Sequence, residues 1–326
     1  MEINQIFEDF TNLKALIVGD VMIDAYYLGK VDRISPEAPV PVVTLNKKEN
    51  RMGGAANVAL NIKSLGATPL LCSVIGNDND AQIFKYLLKE NGLADTGIVS
   101  STDRQTTVKT RVIGNNHQML RIDQEITDLL NTDEENQLLE KVTKLLPQAN
   151  VVIFSDYDKG VITQRVIEEI INLSEKYNIP TVADPKKRNF LSYKGVSLFK
   201  PNLKELADGL KTISIKPDGD SIHSAIKHLQ EQMPHQISMI TLSEHGVYYS
   251  LNGQRSIIPA HLRTIADVSG AGDTVISVAS LCLALNLPVD RVVQLSNLAG
   301  GLVCEYLGVV PIKKEQLLEE AIQHHI

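Results

Sequence analysis

The run Asp267-Val268-Ser269-Gly270-Ala271-Gly272-Asp273-Thr274 stands directly before the apolar stretch 275–285. Two glycines at a helix entry let backbone N–H groups crowd toward an anion, and the helix dipole adds partial positive charge there. An aspartate in that turn can take the proton of an attacking hydroxyl, the base role in phosphoryl transfer. Alone, the octapeptide also fits a plain glycine turn capped by Asp273. The rest of the chain decides between the two.

Working outward, Lys14-Ala15-Leu16-Ile17-Val18-Gly19 is a short apolar run ended by glycine, the pattern of a buried strand. After Gly53-Gly54, the residues Ala55, Val58, Ala59, Ile62 and Leu65 fall on one helical face, and Gly66 ends it. Strand-like 70–75 leads to a helix over about 79–91, stopped by Gly92. The alternation resumes as strand 151–155, helix 162–177, and strands 181–183, 198–200, 238–242 and 247–251. Two apolar helices follow, over about 271–286 and 289–306. Repeated β-α units predict an α/β fold whose central, mostly parallel sheet is covered by helices on both faces. Residues 25–45 and 106–122 break the pattern, being rich in β-branched residues without a helix of their own. They predict a small sheet projecting as a discontinuous lid, or else two edge hairpins on the main sheet. No linker or repeat divides residues 1–326, so a single domain is expected.

Composition narrows the function. The net charge of −7 and the absence of tryptophan disfavour a phosphate-backbone footprint and base stacking, so no nucleic-acid partner is expected. Cys72, Cys282 and Cys304 are odd in number and sit in apolar context, which reads as buried free thiols in a reducing compartment. Residues 1–10 lack the apolar core of a signal peptide, and 275–285 is too short to span a bilayer. The expectation is a cytoplasmic protein with no membrane contact. A Walker A run is missing, and Gly19-Asp20-Val21-Met22-Ile23-Asp24 follows the first strand in place of GxGxxG. A P-loop ATPase and a dinucleotide-binding dehydrogenase are thereby disfavoured.

With Gly53-Gly54-Ala55-Ala56-Asn57 early and Asp267 through Asp273 late, the whole chain resembles the ribokinase-like (PfkB) family of sugar kinases. The resemblance implies ATP as phosphoryl donor, Asp273 as the base, and Gly270, Ala271 and Gly272 as the anion hole. It implies sugar contacts from Asp24, Gly53, Gly54 and Asn57; a carboxylate can accept from two hydroxyls, and glycines allow close approach. On the nucleotide side it implies Asn202 and Glu205, an N-x-x-E pair organising Mg2+ through water, together with Thr241, Ser243, Gly246 and Asn297. The N-x-x-E spacing also suits a simple helix cap. Asp267 and Ser269 match positions that help ligate a monovalent cation such as K+ in many relatives.

Within that family the closer resemblance is to kinases of D-glycero-D-manno-heptose 7-phosphate, often fused to an adenylyltransferase. It is carried by residues 19–24, by Arg33-Ile34-Ser35-Pro36-Glu37-Ala38-Pro39-Val40-Pro41-Val42, and by Ser155-Asp156-Tyr157-Asp158-Lys159-Gly160. The implied reaction forms heptose 1,7-bisphosphate; fructose-, tagatose- or ribose-type acceptors are the alternatives, and a non-catalytic sugar- or nucleotide-sensing module is the remote one. Lys109 and Arg111 are two apart on a predicted strand and so share a face. With Arg33 and Lys159, and with Asp156 nearby, they are expected to surround the phosphate already on the sugar. An HxGH motif is missing from the sequence and the chain stops at Ile326, so the kinase step alone is expected. Open strand edges in the lid predict a homodimer paired through it.

Overall fold

The computed structural model describes residues 1–326 apart from Ile213 and Leu262. Strands β1 (Lys14–Gly19), β2 (Val21–Ile34), β3 (Pro41–Gly54), β4 (Thr68–Gly76) and β5 (Gly97–Ser101) come first. Next come β6 (Val108–Gly114), β7 (His117–Gln124), β8 (Val151–Ser155), β9 (Thr181–Asp184) and β10 (Leu198–Phe199). The last three are β11 (Ile237–Thr241), β12 (Val247–Leu251) and β13 (Gln254–Ile258). The helices are α1 (Ile3–Asp9), α2 (Ala55–Ser64), α3 (Asn79–Glu90), α4 (Thr132–Leu145) and α5 (Gln164–Lys176). They continue with α6 (Leu203–Gly209), α7 (Gly219–Gln232), α8 (Ala271–Ala284), α9 (Val289–Val303) and α10 (Lys314–Gln323).

The main sheet has nine strands in the order β13-β12-β11-β10-β9-β8-β1-β4-β5. It is parallel from β11 to β5, and β12 and β13 add an antiparallel edge. Successive side chains on a strand point to opposite faces, and β1 shows the consequence. Ala15 and Ile17 join a core with α2, α8 and α9, while Leu16 and Val18 join a second core with α4, α5 and α7. Burial on both faces explains why the central strands read as continuous apolar runs.

The segments expected to form a lid make a separate four-stranded sheet, β3-β2-β6-β7, and not hairpins on the main sheet. In it β2 runs antiparallel to β3 and parallel to β6, and β6 pairs antiparallel with β7. Its strands reach further than expected, because β2 begins at Val21 and β3 runs into the glycines that start α2. The root of this sheet is buried, whereas β7 is exposed along its whole length. All three cysteines are buried and unpaired. Among the described residues no helix is long and apolar enough to cross a membrane.

Candidate active site

Polar residues gather where the parallel strands end. Asp20 follows β1, Asp156 follows β8, Asp184 closes β9, Lys200 follows β10 and Thr241 closes β11. Open α/β sheets bind ligands outside these carboxyl ends. The turn that enters α8 points at the same region. Gly270, at its N-cap, has φ +83°, and a Cβ there would lie 3.2 Å from Asn57 Nδ2 and 3.3 Å from Val309 Cγ1. The left-handed conformation calls for glycine, and the space beside it is tight. A Cβ on Gly272 would stand 3.8 Å from both Asp184 Oδ2 and Lys200 Nζ.

Asp273 lies in the first turn of α8 and is 8% exposed. Asn57 Nδ2 donates to its Oδ2 at 2.7 Å, and the Tyr157 hydroxyl donates to its Oδ1. Burial pushes its pKa up to about 6 and nearby Asp184 adds to the rise, against the pull of Asn57, Tyr157 and Lys200. A carboxylate so placed is ionised at neutral pH yet basic enough to take a proton. Asn57 Oδ1 is buried without a hydrogen-bond partner. A buried orphan acceptor beside a carboxylate suits a ligand hydroxyl.

The base of the site is a chain of ion pairs. Lys200, 3% exposed, holds Asp184 at 3.1 Å, and Lys186 pairs with Glu205. Lys186 Nζ also lies 5.9 Å from the centre of the Tyr157 ring. Burial pushes the Lys186 ammonium down, but Asp184 and Glu205 outweigh it and its pKa is raised. Asn202 and Glu205 form a capping box: the Asn202 side chain accepts from Glu205 N–H and Glu205 Oε2 from Asn202 N–H, each at 2.8 Å. The simple cap is therefore realised, and only Oε1 of Glu205, held by Lys186, turns elsewhere. Asp184 and Glu205 offer hard oxygen donors that fit a magnesium ion held through water. Among the described residues no three His, Cys, Asp or Glu side chains gather around one metal position.

Thr241 bridges to Asn202, and Ser243 opens a tight turn with φ +53°. Gly246 has φ +91°, and any Cβ there would strike the backbone of 258–260. Asn297, 9% exposed on α9, donates to Pro259 O at 2.8 Å. Asp267 accepts from Ser269 N and Gly308 N, both at 2.9 Å, which ties the α8 turn to the Gly308 loop. Burial raises its pKa, but these N–H groups prevail and hold it below the usual range.

On the other side, Asp24 is 4% exposed and receives the Arg111 guanidinium. A Cβ on Gly53 would run into Asp24 Oδ2, and one on Gly54 into Asp20 O. The expected phosphate pocket is only half assembled. Lys109 and Lys159 meet at Glu125, at 3.1 and 2.7 Å, while Arg111 turns to Asp24. Arg33 is not beside them within one chain. It lies on β2 nine residues beyond Asp24, the partner of Lys109, or about 30 Å at the rise of an extended strand. Asp156 also departs from expectation. It is 1% exposed and accepts from Asp158 N–H, Asn189 Nδ2 and Tyr193 OH, so its carboxylate is turned into the core.

The sequence reading did not assign Asp20, whose carboxylate accepts from Tyr157 N, Lys159 N and Val161 N at 2.8, 3.2 and 2.9 Å. It thereby shapes the loop that carries Tyr157 to Asp273 and Lys159 to Glu125. Comparison with known proteins gives this arrangement a name. The model of the pfkB family of carbohydrate kinases matches residues 12–315. The chain belongs to the pfkB carbohydrate kinase family.

As a pfkB kinase it is a sugar kinase that uses ATP. It is 38% identical to the bifunctional protein HldE of Aliarcobacter butzleri over 93% of this chain and 63% of that protein. It is 36% identical to HldE of Helicobacter pylori strain J99, over 93% and 65%. The chain thus spans just under two thirds of the length of these curated relatives. Its fold is that of Escherichia coli phosphofructokinase-2 in a potassium complex, with a TM-score of 0.79 at 17% identity over 96% and 99% of the two chains. Arabidopsis thaliana ribokinase with ribose and ATP gives 0.72 at 15% identity over 94% and 99%. In this pfkB chain Tyr157, Asp184, Lys186, Lys200 and Glu125 were also unassigned by sequence. Tyr157 lies within the quoted run 155–160, and the other four had only their place at or just after strand ends as a signal.

Proposed function

We propose that the chain transfers the γ-phosphoryl group of ATP to the anomeric hydroxyl of D-glycero-D-manno-heptose 7-phosphate, giving the 1,7-bisphosphate. The carrying observation is the Asp273 carboxylate, buried at the glycine entry of α8 with Asn57 and Tyr157 fixing its oxygens. In this reading Asp273 takes the hydroxyl proton as the sugar oxygen bonds to the γ-phosphorus and the bond to the ADP oxygen breaks. In this reading the Gly270–Gly272 turn supplies backbone N–H groups to the charge that develops on the transferring group, the Ala271 N–H exchanging its 3.3 Å bond to Val268 O for it. Asn57 Oδ1 and Asp24 accept sugar hydroxyls, and Gly53 and Gly54 keep side chains out of the way. Thr241, Ser243, Gly246 and Asn297 line the adenosine side.

Bound Mg2+ supplies countercharge to the ATP phosphates; Glu205 Oε1 and Asp184 would hold its water shell, and Asn202 would position Glu205 through the cap. Asp267 and Ser269 would serve a K+ site; equal rates in potassium, sodium and no alkali cation would remove that assignment. The heptose assignment rests on the HldE relatives and on the cations Lys109, Arg111 and Lys159. A homodimer through the small sheet is supported by Ile34, Leu120 and Ile122, exposed at 62%, 55% and 52%. With ATP as donor the cytoplasm is the setting. ADP release on heptose 7-phosphate, unphosphorylated heptose, fructose and ribose tests the substrate. The expected result is a kcat/KM at least tenfold higher for the phosphorylated heptose; equal values would refute it.

A further inference from the structure

The cations expected to grip the sugar's distal phosphate already hold an anion. Glu125, just past the end of β7, places Oε2 3.1 Å from Lys109 Nζ and Oε1 2.7 Å from Lys159 Nζ. The three side chains are 21%, 15% and 16% exposed, so the contact is largely shielded from water. One carboxylate thus bridges two lysines from different parts of the fold, β6 and the loop after β8. Both lysines are set firmly. Lys109 is in register with Asp24 on β2, and its Nζ also lies 3.3 Å from Asp123, which is in turn held by Arg121. The Lys159 backbone is fixed at both ends, its N–H on Asp20 and its C=O accepting from Arg104. The glutamate side chain has three rotatable bonds and can leave without backbone movement.

We infer that Glu125 is a specificity-determining residue, an internal stand-in for phosphate that a sugar phosphate must displace from Lys109 and Lys159. The inference rests on the distal-phosphate reading above. Charge supports it. Over Lys109, Lys159, Arg121, Asp123 and Glu125 the cluster carries one net positive charge, and with Glu125 swung out it carries two. A phosphate monoester at neutral pH carries about −1.5 to −2, which matches the vacated site. A carboxylate ligand carries only −1 and would replace Glu125 with its equal, gaining nothing. Glu125 thereby makes the lysine pair selective for dianions, so that sugar acids and neutral sugars are refused. It also leaves no bare cation pair in the free protein. The loop that presents Lys159 to Glu125 presents Tyr157 to Asp273 two residues earlier. Phosphate capture and base positioning therefore share one short segment.

The test uses the full chain and three variants, Glu125→Gln, Lys109→Ala and Lys159→Ala. The affinity of heptose 7-phosphate and of inorganic phosphate is measured by calorimetry, and the phosphorylated-to-unphosphorylated ratio of kcat/KM by ADP release. Removing two partly exposed ion pairs should tighten binding of both phosphate probes by about 3–10-fold in Glu125→Gln. Both lysine variants should weaken it. Gluconate, a monoanionic sugar acid, should bind Glu125→Gln better than wild type, because the competing carboxylate is gone. If Glu125→Gln binds phosphate unchanged or more weakly while the lysine variants lose affinity, the stand-in role is overturned and the distal-phosphate reading survives. If all three variants leave the ratio and both affinities unchanged, the distal-phosphate reading falls and the inference falls with it.

Discussion

Removing the Tyr157 hydroxyl separates the acidity of Asp273 from its position. In Tyr157→Phe the ring keeps its place near Lys186, but Asp273 Oδ1 loses its only side-chain donor among the described residues. A hydrogen bond to a charged group is worth about 1.5–3 kcal/mol, and some of that returns through water. At 1.36 kcal/mol per unit, the net loss should raise the Asp273 pKa by about one unit. Burial already holds it at about 6, so the acid limb of kcat/KM should move to roughly pH 7. The sign follows from the chemistry, because only the ionised carboxylate accepts a proton. At pH 6 the ionised fraction would fall from about one half to about one tenth, a loss of roughly fivefold. At pH 8.5 the two proteins should converge. The assay is ADP release across pH 5–9 with sugar below its KM, both proteins on the same substrate so that its own ionisation cancels. An acid limb that stays in place or moves to lower pH would refute the role of this hydroxyl and the assignment of the limb to Asp273.

Two further outcomes follow from the same geometry. The Asp273 pKa is raised from 3.8 to about 6, so folding is opposed by the ionised form, and this part of the stability is lost as pH rises between those values. Asp273→Asn should therefore resist urea better than wild type by up to about 3 kcal/mol at pH 8 and by little at pH 4; an advantage independent of pH would contradict the shift. Gly53→Ala places a Cβ against Asp24 Oδ2 and 3.0 Å from Met22 Cγ. It should raise the KM for sugar roughly tenfold with the KM for ATP unchanged, because a displaced Asp24 leaves Arg111 unpaired; an unchanged sugar KM would remove Asp24 from the sugar site.

The sequence was most legible where one physical rule acts over a short span. Apolar runs such as 14–19 and 151–155 marked strands buried on both faces, and the glycines before Asp273 marked a helix entry facing an anion. Helices with polar surfaces were harder to see. α4 opens with a capping box at Asn131 and Glu134, the same N-x-x-E spacing as Asn202 and Glu205. The first pair went unnoticed, while the second was read both for magnesium and as a simple cap, and both cap helices. α7 carries Ile222, Ile226 and Leu229 on one face behind the Asp218 cap, a weak stripe among polar residues. Ion-pair partners were out of reach, since a lysine on a strand or loop does not announce which carboxylate it will meet. Lys159 and Glu125 are 34 residues apart, and Tyr157 and Asp273 are 116 apart. Arg33 failed for a simpler reason: shared membership of a sheet says nothing about distance along a 14-residue strand.

Turnover and ATP binding measured side by side in Asp273→Asn test the central claim most directly. The account predicts that kcat falls by about 10²–10⁴-fold, the usual contribution of a general base, while the affinity for ATP stays within about twofold. Near-normal turnover in that variant would place the base elsewhere and contradict the account.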